Sequence, residues 1–153
     1  MFSHNIFPRP RFLPKKPRFI VLMLCVFSIY GFATAFAADI CKEGKKSLIG
    51  SYNVIQGKGG LWGFMEQTSG LKEKSVLGLQ TDGKIRRAIS IFEEMCEDGK
   101  TPTPAFFDEI QELIGQGRMV FNMNPDRSPP KKILERVTAV NEKATALLAK
   151  LGE

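Results

Sequence analysis

The feature that most constrains the fold is a regular spacing of apolar residues near the C-terminal end. Six of them recur at intervals of four and three positions, at Ile133, Val137, Val140, Ala144, Leu147 and Leu151. This spacing keeps all six on one face of an α-helix, and such a seam packs nearly parallel to neighbouring helices. Ser128-Pro129 precedes the seam as a helix start. The spacing therefore predicts a helix over 129–151.

Two more segments have helical periodicity. Thr81 or Asp82 can cap a helix over 81–98, and Thr103-Pro104 starts one over 104–123 in which Gly117 leaves a gap. The buried faces of these helices are predicted at Ile85, Ile89, Phe92 and Cys96, and at Phe107, Ile110, Ile114 and Phe121. A weaker pattern predicts a further helix over 39–56. Short links that contain proline favour antiparallel neighbours.

The segment 57–83 interrupts this pattern because it holds seven of the chain's 14 glycines. We expect it to be irregular, with one short helix or strand around 71–80. The predicted fold is therefore all-α: a three- or four-helix antiparallel bundle with one glycine-rich irregular segment.

The N-terminal segment has the composition of a secretory signal. Residues 1–18 hold five cations and no acid, residues 19–38 are uncharged and mostly apolar, and Ala35-Phe36-Ala37 offers a cleavage site. We predict a signal peptide over 1–38, cut near Ala37/Ala38, and a single domain over 39–153 that is periplasmic or secreted. The alternative is an uncut anchor over 19–38 that leaves the same domain outside the cytoplasm.

The basic character of the chain belongs to the targeting segment. Outside residues 1–38 there are 17 cations and 16 acids, a net charge of +1. Nucleic-acid binding needs a concentrated cationic surface on the folded domain, so it is not expected. Two cysteines remain after the signal, Cys41 and Cys96. An even count in a small exported domain predicts a disulfide between them.

Histidine is missing from the predicted domain, because the only histidine is His4. Ser-His and Cys-His catalytic pairs and imidazole metal sites are therefore excluded there. We predict no catalytic residue and no cofactor. Acid pairs for glycoside cleavage remain an alternative, with helix-surface charges as the simpler interpretation of the same residues; the acids concerned are Glu93, Glu94, Glu97, Asp98, Asp108, Glu109 and Glu112.

Three sets of residues are candidates for binding. Trp62, Phe64 and Met65 either cover the core or form an exposed patch for a protein, an apolar ligand or a membrane surface. A second set, Arg127, Lys131 and Lys132, places cations at a helix start, where they oppose the dipole, and suggests an acidic partner. The third, Met119 and Met123, has the spacing for Cu(I), although methionine usually fills core space.

Three functions follow as hypotheses. The first is an exported, non-enzymatic helical domain that binds another macromolecule, a protein of the envelope or cell exterior. The second is a carrier or sensor of a small apolar ligand or a metal, which predicts a cavity near Gly117. The third is a small carboxylate-based hydrolase of envelope polymers.

Overall fold

The computed structural model describes residues 40–153, and all of their regular structure is helical. We label the helices α1 (40–56), α2 (Gly60–Gln67), α3 (Ser75–Glu97), α4 (Pro104–Phe121) and α5 (Pro130–Lys150), with a short 3-10 helix at Lys72–Lys74 before α3. The predicted all-α class is confirmed for this part of the chain. The predicted signal peptide and its cleavage site lie outside the described residues.

Four long helices form the bundle. The α1 and α3 helices run antiparallel, since Cys41 lies beside Cys96 while Tyr52 contacts Asp82. The α4 and α5 helices are also antiparallel, because Lys143 pairs with Glu112 and Lys150 with Glu109. The Cα atoms of Cys41 and Cys96 are 5.6 Å apart, and the two sulfurs lie at disulfide distance, as predicted.

The buried side chains form two clusters. The larger lies among α1, α3, α4 and the second half of α5, and the smaller lies among α2, the end of α4 and the first half of α5. The predicted apolar seam of α5 contributes side chains to both clusters. Ile133 and Val137 belong to the smaller cluster, whereas Val140, Ala144 and Leu147 belong to the larger. Leu151 follows the helix end and is partly exposed.

The boundaries of the last two helices agree closely with the sequence pattern. Pro104 is the first residue of α4, and the Thr103 hydroxyl accepts a hydrogen bond from the Phe106 N–H at 3.2 Å. This is the local N-cap that the sequence predicts. The α5 helix begins at Pro130, one residue later than expected. No helix between residues 40 and 153 combines the length and apolar character needed to cross a membrane.

The prediction that 57–83 is irregular is wrong for most of that segment. It contains α2, the 3-10 helix and the first nine residues of α3, which begins at Ser75 rather than at residue 81. The glycines here have two different roles. Gly59, Gly60 and Gly70 have positive φ and make turns, whereas Gly78 lies inside α3 at a close helix contact. Glycine at a packing contact does not interrupt a helix that tertiary contacts stabilise.

Candidate functional site

A cleft lies where the N-terminus of α2 meets α1 and α3. We call it the Asp82 cleft; its walls are Tyr52, Gln56, Gly59, Gly60, Trp62, Leu79, Asp82 and Arg86. It combines two exposed apolar side chains with a buried carboxyl group, a phenol and a guanidinium. Three helices contribute to it, so it forms only in the folded domain.

The carboxyl group of Asp82 caps α2 from a different helix. Gly59 occupies the N-cap position of α2 and has no side chain to accept a hydrogen bond. The Trp62 N–H instead donates to Asp82 Oδ2 at 3.2 Å. Free N–H groups at a helix start favour a negative charge nearby. Asp82 therefore fixes α2 against α3 and sets the position of Trp62.

Two glycines allow this close approach. A Cβ atom at Gly60 would overlap Asp82 Oδ2, and the φ of Gly60 is +72°. A Cβ atom at Gly78 would lie 2.7 Å from the Leu61 carbonyl carbon and the Trp62 nitrogen. Both positions therefore require glycine for the α2 backbone to reach Asp82.

Asp82 is buried, and one of its oxygens is unpaired. The side chain of Tyr52 donates to the Asp82 backbone carbonyl at 3.2 Å, and Asp82 Oδ1 accepts no hydrogen bond from the described residues. Burial raises the pKa of the Asp82 carboxyl above its ordinary value, while the Trp62 and Leu61 N–H groups and Arg86 act in the opposite direction. Burial likewise raises the pKa of Tyr52. A buried carboxyl of this kind is unfavourable for stability and is common at functional sites.

Exposed apolar side chains line the cleft and continue along α3. Trp62 is 44% exposed, Leu79 57% and Val76 58%. Val76 and Leu79 are three residues apart on α3 and therefore share a face, and Leu79 lines the same cleft as Trp62. We call these three residues the Trp62 surface.

The structure separates the three candidates of the glycine-rich segment. Trp62 is exposed, whereas Met65 is fully buried in the smaller cluster. Phe64 is half-buried, and its ring centroid lies 5.4 Å from that of Phe121. Phe64 and Met65 thus cover the core, which was one of the two sequence interpretations. Only Trp62 is placed to contact a partner from the surface.

The methionine pair and part of the cationic set, the two other groups of candidate binding residues, lie in the same hollow. Met119, Met123 and Lys132 line one hollow with Arg136, while Arg127 and Lys131 are exposed nearby in sequence. Two cationic side chains in the same hollow oppose the binding of Cu(I) there. The copper role stays an untested prediction.

The prediction of a cavity near Gly117 is wrong. A Cβ atom at Gly117 would lie 3.1 Å from Ile55 Cδ1, so the α1 side chain already fills the gap in the α4 face. The carrier hypothesis loses the cavity on which it depended.

The candidate acids for glycoside cleavage lie mostly in surface ion pairs. Their partners are Lys45 for Glu93 and Glu97, Arg87 for Glu94, Lys100 for Asp98, Lys150 for Glu109 and Lys143 for Glu112, and Asp108 is exposed. These are ordinary positions for charges on a helix surface. They lend no support to the hydrolase hypothesis.

The sequence pattern does not identify Asp82 as a site residue, since it predicts Asp82 only as a candidate helix cap. The signal lies in its spacing. Asp82 is three residues before Ile85, and Gly78 is four residues before Asp82. Both therefore extend the apolar face of α3 towards its N-terminus. A carboxyl group and a glycine on such a face indicate a specific buried contact.

No protein-family model, curated protein or solved structure matches this chain.

Proposed function

We propose that this chain is an exported, non-enzymatic helical domain that binds another protein outside the cytoplasm through the Trp62 surface and the Asp82 cleft. The observation that carries the proposal is the exposure of Trp62 and Leu79 in the walls of a partly polar cleft, with Val76 exposed about one turn away on α3. Isolated exposed apolar residues are common on proteins, whereas neighbouring ones beside a cleft are typical of interaction sites.

The composition of the site supports a protein as the partner. Its walls include Trp62, Tyr52 and Arg86. Tryptophan, tyrosine and arginine are the residue types enriched at the energetic centres of protein interfaces. Gln56 and Arg86 add hydrogen-bond donors at the edge of the apolar surface. The site thus combines an apolar centre with polar groups around it, as protein interfaces do.

The packing beneath Trp62 supports a preformed site. Its backbone N–H is held by Asp82, and the neighbouring peptide contacts Gly78 closely. A side chain held by a fixed backbone loses less conformational entropy when a partner binds. The fixed backbone therefore favours binding through a preformed surface rather than through a segment that folds on binding.

Site-specific photo-crosslinking tests the proposal. A photoreactive amino acid replaces Leu79 in one variant and Val54 in another, since Val54 is 50% exposed but does not line the Asp82 cleft. Both are expressed in the native host and irradiated. We expect a discrete protein adduct from position 79 and none from position 54.

Alanine variants provide the matched control for this experiment. Trp62→Ala should reduce the position-79 adduct at least tenfold because it removes the largest exposed side chain, and Val54→Ala should leave the adduct unchanged. Circular dichroism checks that both variants stay helical. Equal adducts from the two crosslinker positions, or full capture by folded Trp62→Ala, would refute the proposal.

A further inference from the structure

A second surface, between α4 and α5, has different chemistry from the Trp62 surface. Two adjoining hollows share Met119 and Arg136 and together form one groove. We call it the Met119 groove; its lining includes Gly115 and Met119 from α4, Met123 just after α4, and Lys132, Arg136 and Ala139 from α5. Glu112 and Lys143 line its end farthest from Met123. None of these residues lines the Asp82 cleft.

The α4 side of the groove has an open apolar strip beside the polar side chains of Glu112 and Gln116. Gly115 and Met119 are four residues apart on α4 and share a face, and Met123, two residues after the helix end at Phe121, lines the same groove. Met119 is 65% exposed, and a Cβ atom at Gly115 would meet nothing within 4 Å. Methionine side chains adapt to many apolar partners. This strip suits the apolar face of an added helix.

The α5 side of the groove is cationic, and the acid that lines the groove, Glu112, is already paired with Lys143. Lys132 and Arg136 are one turn apart, and neither forms an ion pair with another of the described residues. At the far end of the groove, in contrast, Lys143 pairs with Glu112 at 2.7 Å, and beyond the groove Lys150 pairs with Glu109 at 2.8 Å. The positive charge is thus concentrated beside Met119 and Met123.

We propose that the Met119 groove binds an amphipathic helix of a partner protein, with apolar residues against Met119 and Met123 and acidic residues against Lys132 and Arg136. Binding of a helix in a groove uses apolar anchors at intervals of three and four residues. Gly115 and Met119 are about 6 Å apart along α4, which is roughly one turn of such a helix. Arg127 and Lys131 are exposed around the start of α5. Their positive charges add to the electrostatic attraction that an acidic helix experiences as it approaches the groove.

A selection from displayed peptides tests this without knowledge of the natural partner. A library with randomised surface positions on a helical scaffold is selected on the full domain with its disulfide intact. We expect enrichment of clones that carry Asp or Glu beside apolar residues at helical spacing. Their binding should weaken at least tenfold in Lys132→Glu/Arg136→Glu, and it should fall as the salt concentration rises.

Two substitutions at one position provide a matched control. Gly115→Trp fills the groove and should abolish binding of the enriched peptides, whereas Gly115→Ala should preserve it, because the space there is open and its φ is not positive. Circular dichroism checks that both variants stay helical. No enrichment, enrichment without acids, or binding that survives folded Gly115→Trp would overturn the proposal.

Two other occupants are separate outcomes that would also overturn it. Vesicles of phosphatidylglycerol and phosphatidylcholine test for a membrane. Binding to them that charge reversal removes, without peptide enrichment, would assign the cations to a lipid surface. Light scattering tests for a second copy of the chain, and a dimer that Gly115→Trp dissociates would assign the groove to self-association.

Discussion

The two ends of the α1–α3 pair are joined by different means. At one end the disulfide between Cys41 and Cys96 links the helices covalently, and Lys45 pairs with Glu93 at 3.2 Å beside it. At the other end the Tyr52 hydroxyl donates to the Asp82 carbonyl, and the Asp82 side chain caps α2. The first end is held by a covalent bond between two residues. The second end is held by contacts that require α1, α2 and α3 to be packed together.

This difference indicates that one end of the α1–α3 pair stabilises the fold and the other end is suited to binding. A disulfide stabilises a fold without exposing apolar surface or burying charge. The Asp82 end has both features, since an unpaired carboxylate oxygen lies in a cleft lined by the exposed side chains of Trp62 and Leu79. A domain retains such a costly arrangement most readily where it serves binding. We infer that the Cys41–Cys96 end maintains the fold while the Asp82 end is specialised for contact.

Removal of the disulfide should have the largest effect on stability. The bond closes a loop with a sequence separation of 55 residues. The chain-entropy model gives about 4 kcal/mol for a loop of that length. Cys41→Ser/Cys96→Ser should therefore lower the free energy of unfolding by up to about 4 kcal/mol, measured by urea titration. A loss below about 1 kcal/mol would contradict a dominant role for this end.

Two glycines of α3 give a sharper test of the other end. Gly78→Ala places a Cβ atom against the α2 backbone, and overpacking of this kind costs about 1–3 kcal/mol. Gly83→Ala is the matched control, since nothing lies within 4 Å of its Cβ position. It should stabilise the domain by about 0.5–1 kcal/mol through helix propensity. If the unfolding temperatures of both variants shift in the same direction, α2 does not pack closely against Gly78.

The smallest expected effect is a dependence of stability on pH. An Asp in the unfolded chain has a pKa of about 3.9, and burial raises the pKa of Asp82 in the folded state. The folded protein therefore holds this proton to higher pH than the unfolded chain does. The contribution of Asp82 to the free energy of unfolding should fall as the pH rises from about 4 through the raised pKa.

Asp82→Asn isolates this contribution because it keeps an oxygen for the Trp62 N–H and removes the titration. The stability of Asp82→Asn relative to the wild type should increase between pH 4 and pH 7 in urea titrations. Parallel pH profiles for the two proteins would mean that Asp82 titrates alike in the folded and unfolded states.

The features that the sequence predicted correctly are local or require only two residues. Thr103-Pro104 marks the start of α4 through its own cap, and the seam from Ile133 to Leu147 defines the buried face of α5. The pairing of Cys41 and Cys96 follows from a count of two. None of these predictions depends on how the helices are arranged in space.

The features that it missed depend on contacts distant in sequence. The sequence pattern places the start of α3 near residue 81 because the glycines of 57–83 indicate irregular structure, whereas in the fold Gly78 makes room for Leu61 and Trp62. Asp82 reaches its hydrogen-bond donor 20 residues away. The gap at Gly117 is filled by Ile55 from α1. Periodicity within one helix carries no information about which neighbour occupies the space beside it.

Fluorescence quenching of Trp62 tests the central claim most directly, because it is the only tryptophan in the chain. Acrylamide quenching is measured for the free domain and for its complex with the protein captured at position 79. Trp62 is 44% exposed when free, so we expect efficient quenching that decreases several-fold in the complex, together with a blue shift of the emission. Val54→Ala should behave like the wild type. A complex that forms with unchanged quenching of Trp62 would contradict the account.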